Sequence, residues 1–198
     1  MFIFTSFNNS FCFFVFFSII NNRELIIRIK IMALISNLEK DDASIIAKAV
    51  YESFEESSGS VPEWVKVMAH RPEILKEFVE LFGVIMKQGK IEPALKWKIA
   101  LTVSKTLKCV FCVDVTEKML QKFGASEEAS QDTKETEKEK KILDLVKDIT
   151  IDGHLDNIEL FKIMKANFNE AQIVEIISVI GLFNYINRFN NTLAILPE

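Results

Sequence analysis

Chain breakers are scarce in this 198-residue sequence, whose six glycines and four prolines are too few for a turn-dense all-β fold or a collagen-like or disordered chain. Cysteine is scarce too. Three, an odd number, cannot form the framework of a disulfide-stapled secreted domain. Histidine is rarer still, so a zinc site would have to draw on His70, His154 and Cys12, which show no paired ligand spacing. Positive charge is not in excess: 24 basic against 28 acidic side chains, net −4, exclude a basic nucleic-acid binder. What is present, 49% hydrophobic and 26% charged residues, points to a mostly helical domain.

Residues 1–31 differ from the rest. They hold eight of the 17 phenylalanines with one acid, Glu24, and three bases, leaving the remainder with 27 acids and 21 bases, or −6. The apolar run Phe11 to Ile20 has signal-peptide length, but no Lys or Arg precedes it and no small-residue cleavage motif follows. Were Phe2 to Ile20 a single span, Thr5, Ser6, Asn8, Asn9 and Ser10 would load its outer half with polar groups, which argues against a membrane span. Met32 reads as the working start of a cytoplasmic domain over 32–198, preceded by a Phe-rich extension. Export or membrane anchoring by that extension is the alternative.

Apolar residues then recur at helical spacing, and about seven helices are expected in an all-α bundle. Asp41 or Asp42 is expected to cap a first helix with Ile45, Ile46, Ala49, Val50 and Phe54 on one face, ended by Ser57-Ser58-Gly59-Ser60. Pro62 starts a short helical turn. Pro72 opens a helix with a stripe from Ile74 to Met86, closed by Gln88-Gly89-Lys90, and Pro93 opens another leading to the cysteines. A helix carrying Cys109 and Cys112 runs to Phe123, with Gly124 as its stop. Residues 127–141, ten of fifteen charged with mixed sign, read as a solvated loop merging into a helix start. Ile142, Leu145, Val146 and Ile149 resume the stripe, Asp152-Gly153 interrupts it, Leu155 to Phe168 forms a helix, and Asn169 caps the last one. That last helix is apolar around most of its circumference, which calls for burial at the domain centre or against another subunit.

Cys109-Val110-Phe111-Cys112 places two sulfurs on one turn at the N-terminus of a central helix, within reach of disulfide geometry. Exposed amide dipoles there favour the Cys109 thiolate, so reversible dithiol chemistry is the direct inference. The plainer reading is two buried small hydrophobes at helical spacing. A thioredoxin-like site would want the pair after a strand, and the surround is helical.

Leu95-Lys96-Trp97-Lys98-Ile99-Ala100-Leu101-Thr102-Val103-Ser104, followed by Cys109-Val110-Phe111-Cys112-Val113-Asp114, resembles the core motif of the carboxymuconolactone decarboxylase/AhpD-like alkylhydroperoxidase superfamily. Ile180 to Phe189 with the terminal Leu196-Pro197-Glu198, together with Val61-Pro62 and Ala69-His70-Arg71-Pro72-Glu73, resembles its peroxidase-related branch. The resemblance implies an AhpD-like helical bundle, a trimer or hexamer of like subunits, and hydroperoxide reduction without haem, flavin or metal. It assigns the attacking thiolate to Cys112 and the resolving sulfur to Cys109, with an external dithiol or lipoyl-type adaptor as reductant. A sulfenic acid on Cys112 would condense with Cys109 to a disulfide.

The chain departs from that family at the proton relay. Thr116 stands where the family has a histidine and Trp97 where it has a glutamate, and neither side chain is a base at neutral pH. Three explanations stay open: helix dipoles alone activate Cys112, a substitute base such as Asp114, Glu117 or His154 serves, or the pair exchanges disulfides without efficient peroxidase turnover. Of the substitutes, Glu117 leans nearer the cysteine face than Asp114, and His154 and His70 read more simply as helix-end or loop residues. Ser104 is a further hydrogen-bonding candidate near the thiols. A non-catalytic helical oligomer is the competing function. A decarboxylase or lactone-processing enzyme ranks last, because that branch does not depend on a cysteine pair.

Overall fold

In a computed structural model, the structure describes residues 33–87, 89–123, 137–153 and 158–197. The expectations for residues 1–31, for the loop preceding 137, for Gly124 and for His154 lie outside these. Among the described residues there are eight helices and no strand. They are α1 (Ile45–Ser58), α2 (Glu63–Met68), α3 (Pro72–Met86), α4 (Pro93–Thr106), α5 (Val110–Lys122), α6 (Glu137–Ile151), α7 (Ile158–Asn167) and α8 (Glu170–Thr192). None is long and apolar enough to cross a membrane.

The caps follow from local chemistry, with one correction. Asp41 and Asp42 sit in a 3₁₀ turn, and Ser44 caps α1 by accepting from the Ala47 amide at 3.2 Å. The buried stripe shifts accordingly to Ala47 and Tyr51, with Val50 and Phe54 half-buried beside them. Ile45, Ile46 and Ala49, expected on that face, are exposed. The reason is Tyr51: its hydroxyl donates to the Leu38 carbonyl at 2.7 Å, which turns its side of the helix inward. Gly59 ends α1 at φ 80°, a left-handed C-cap that glycine adopts without steric cost. Pro72 and Pro93 occupy the first positions of α3 and α4. Asn169 and Gln172 form a reciprocal capping box on α8. The helix expected from Leu155 is described from Ile158, and the helix within the charged stretch is described from Glu137.

The final helix lies at the centre, as its all-round apolarity requires: α8 packs against α3, α4, α5, α6 and α7. It buries Ile173, Ile176, Val179, Ile180, Leu182, Phe183 and Ile186. A chain of ring contacts binds the first half to it. Phe54 meets Trp64 at 5.8 Å, Trp64 meets Phe78 at 5.6 Å, and Phe78 stacks on Tyr185 at 5.1 Å. Such edge-to-face and offset pairs add roughly 0.5–1.5 kcal/mol each beyond area burial. This scaffold fixes the corner between α4 and α5, where the cysteines lie.

Candidate active site

Helix α4 ends at Thr106, and the chain turns through Leu107 and Lys108 before Cys109 caps α5. Lys108 takes φ 56°, a left-handed conformation that a side chain with a Cβ adopts at some cost. That turn delivers the Cys109 amide to the Ser104 carbonyl at 3.1 Å and frees the Cys109 side chain to cap the helix. Its sulfur accepts from the Cys112 amide at 3.3 Å. Cys112, three residues on, shares the same face of the first turn, and both cysteines are buried and unbridged.

The two sulfurs differ in charge preference. A hydrogen bond from the Cys112 thiol holds Cys109 below the ordinary thiol range against the opposing effect of burial, with help from the backbone amides of Cys112 and Phe111. The same sulfur-to-sulfur bond, then burial, then the Cys109 charge push the Cys112 thiol up. The Asn190 side-chain amide, 3.4 Å from Cys112 Sγ, pulls in the other direction. Of the two, Cys109 is therefore the more acidic, as expected for a helix N-terminus, and not the sulfur to which the family resemblance gives the attack.

The relay positions are built as packing. Thr116 is wholly buried one turn after Cys112, and its hydroxyl donates to the Cys112 carbonyl at 2.8 Å. Trp97 is buried among rings, 6.1 Å from Phe183 and 6.3 Å from Phe82. Neither proposed carboxylate reaches the sulfurs as a free base: Asp114 pairs with Lys118 at 2.7 Å and Glu117 with Lys105 at 3.5 Å, both on the exposed side of α5. His70 is exposed, with Nε2 2.9 Å from the Ser36 carbonyl. Ser104 is buried, donates to the Ala100 carbonyl at 2.8 Å and accepts from Asn187 at 3.3 Å. Among the described residues no group of three His, Cys, Asp or Glu side chains is placed to hold a metal ion.

Reading of the sequence missed the asparagines of α8. Asn187 reaches Ser104, Asn190 reaches Cys112, and Asn191 donates to the Leu107 carbonyl at 3.0 Å. Their spacing of i, i+3 and i+4 places them on one stripe of an otherwise apolar helix. That pattern was available as a signal, because a buried amide needs partners.

The carboxymuconolactone decarboxylase family model matches residues 72–133, a span that includes the cysteines and stops short of α8. A peroxidase-related protein of Ralstonia eutropha with an alkylhydroperoxidase AhpD core has the same fold at 18% identity and TM-score 0.74, over 84% of this chain and 92% of that one. A peroxidase-related protein of Silicibacter superposes at 19% identity and TM-score 0.68, over 83% and 88%. A cysteine-to-alanine variant of the debrominase Bmp8, in complex with 2,3,4-tribromopyrrole, superposes at 22% identity and TM-score 0.71, over 85% and 93%. No curated protein matches in sequence.

Proposed function

From a carboxymuconolactone decarboxylase family match over residues 72–133 set in an AhpD-like helical fold, we propose that this chain is a dithiol oxidoreductase that reduces hydroperoxides through Cys109 and Cys112. The fold alone does not choose the reaction, since a debrominase shares it. What carries the reading is two buried, unbridged sulfurs on the first turn of α5, one of them capping the helix.

In this mechanism the pair supplies its own base. The Cys112 proton passes to the Cys109 thiolate, and the Cys112 thiolate attacks the terminal peroxide oxygen. The O–O bond breaks, Cys112 becomes a sulfenic acid, and the departing alkoxide takes the proton now on Cys109. Cys109, again a thiolate, displaces hydroxide from the sulfenic sulfur and closes the disulfide. One thiol, one thiolate and one hydroperoxide yield a disulfide, an alcohol and hydroxide. An external dithiol, such as a lipoyl-type adaptor, then reopens the disulfide, with no prosthetic group taking part. A cytoplasmic setting, where dithiols are kept reduced, suits this cycle.

We assign the subunits to a homo-oligomer. An open groove of about 720 Å³ between α3 and α8, lined by Ile74, Phe78, Leu81, Ile85, Leu182 and Tyr185, supports self-association.

The test is hydroperoxide consumption by the full chain supplied with dithiothreitol or a dihydrolipoyl donor. Wild type should turn over slowly, and Cys112→Ser should not turn over at all. Thr116→His, which returns an imidazole to the turn after Cys112, should raise turnover on the order of a hundredfold. Consumption that survives Cys112→Ser sinks the assignment, and no consumption by any of the three proteins leaves a non-catalytic helical oligomer.

A further inference from the structure

Asn190 lies at the heart of the cysteine site although its helix position would suit an apolar residue. It is wholly buried, its nitrogen stands 3.4 Å from Cys112 Sγ, and its carbonyl oxygen has no hydrogen-bond partner among the described residues. A buried amide left half-satisfied is destabilising, so packing alone does not account for it. Its place is fixed on two sides. The Ile195 amide donates to the Asn190 backbone carbonyl at 2.9 Å, and the adjacent Asn191 ties α8 to the turn before Cys109.

We propose that Asn190 is a catalytic residue of the pair: its N–H group stabilises Cys112 as a thiolate once the thiol proton has left, and its free carbonyl accepts the O–H of the sulfenic acid formed there. The inference rests on the proposed hydroperoxide chemistry for its second half only. The Asn190 nitrogen donates to Cys112 Sγ at 3.4 Å. Proton transfer turns that sulfur from a neutral acceptor into an anionic one, and a hydrogen bond to an anion is about twice as strong. The amide thus favours the attacking form without moving.

Oxygen transfer then adds a donor that the sulfur lacked. The sulfenic O–H has an acceptor without a competing partner in Asn190 Oδ1, which holds the intermediate until Cys109 displaces its hydroxide. Asn187, one turn earlier, also has an unpartnered carbonyl, but its nitrogen serves Ser104 and the Phe183 carbonyl and not a sulfur.

The decisive measurement is the pH titration of the Cys112 thiolate absorbance in full-length Cys109→Ser protein, where only this buried sulfur of the pair remains. Asn190→Leu, similar in size and without a donor, should move the midpoint up by about one pH unit or more. Asn190→Asp, which keeps the shape and adds a negative charge, should move it further. In Cys109→Ser protein with position 190 unchanged, the Asn190 side-chain amide proton resonances should shift with the same midpoint, which tests the contact even if a variant fails to fold. Sulfenic acid made on Cys109→Ser protein by cumene hydroperoxide should decay faster in Asn190→Leu.

A titration that ignores Asn190→Leu, or amide resonances that stay fixed through it, overturns the proposal. Neither readout needs hydroperoxide. A shifted midpoint without peroxide consumption removes the peroxidase reading and keeps the contact, whereas intact turnover with an unshifted midpoint removes only the role of Asn190.

Discussion

Lys96 of α4, wholly buried, is ion-paired with Glu175 of α8, and its ammonium also donates to the carbonyls of Ile85, at 2.7 Å, and Lys87. Glu175 in turn accepts from the amides of Lys90, at 2.7 Å, and Ile91, at 3.2 Å. The Lys96–Glu175 pair thereby joins the end of α3, the loop before α4, and the central helix. Gly89 makes room for it, since a Cβ there would collide with the Glu175 carboxylate.

Glu175→Gln should destabilise the fold by about 3 kcal/mol, because it leaves a buried ammonium without its counter-charge. Burial alone would raise the Glu175 pKa, but the Lys96 hydrogen bond, backbone amides and Lys96 charge outweigh it and hold the carboxyl below 4.5. A carboxylate depressed in the folded state adds stability that is complete above the unfolded value and is lost as pH falls through the folded one. Denaturant unfolding should therefore show acid sensitivity below pH 4.5 that is weaker in Glu175→Gln. Equal acid sensitivity in both proteins would contradict this account.

The cysteine pair predicts a reciprocal titration. The largest influence lowering Cys109 is the thiol of Cys112, so Cys112→Ala should return the Cys109 midpoint toward the ordinary 9.0, and Cys112→Ser, which keeps a hydroxyl donor, should fall between. Linkage gives the sign for stability. The lowered Cys109 contributes stability that grows as pH rises through its folded value toward 9.0, while the raised Cys112 removes stability as pH climbs above 9.0. Relative to the double serine variant, the reduced protein should be most stable near pH 9.0. Thiolate absorbance and chemical unfolding against pH measure both effects.

Restoring the family's glutamate should fail where restoring its histidine works. Trp97 is 6% exposed and wedged between Phe82 and Phe183. Trp97→Glu removes that ring packing and buries an unpaired carboxylate, a loss of more than about 4 kcal/mol. Thr116→His enlarges a buried position, at about 1–3 kcal/mol, but it faces the cysteine turn. Thermal unfolding should rank wild type above Thr116→His and both well above Trp97→Glu. A Trp97→Glu protein as stable as wild type would show that the α3–α4–α8 core tolerates a charge.

Helix placement was legible because the breakers are few and each acts locally: Pro72, Pro93, Gly59 and Asn169 mark the ends that the structure shows. The cap of α1 was misread because two aspartates precede the serine whose hydroxyl has the geometry, and a 3₁₀ turn takes them up. Cys109 and Cys112 were visible from their spacing alone. Asn190 was not, because its partner lies 78 residues away in sequence and only tertiary packing brings an α8 amide to an α5 sulfur. Nothing beside Lys96 in sequence marks its burial, for the same reason: its counter-ion belongs to the last helix.

Self-association should depend on the groove between α3 and α8. Leu81 is 52% and Tyr185 45% exposed, a concentration of apolar surface beside Glu73 and Glu77 on the same groove. Leu81→Glu adds a third carboxylate to that wall while leaving the α3 residues Leu75 and Phe78 buried, so the fold of the subunit should survive. Buried in a contact between copies, the new charge would meet like charges and lose its hydration, which disfavours assembly by several kcal/mol, about 2 or more. Sedimentation of the full chain should give a multimer for wild type and a monomer for Leu81→Glu, with unchanged helical circular dichroism. An unchanged multimer would place the contact on another face of the bundle.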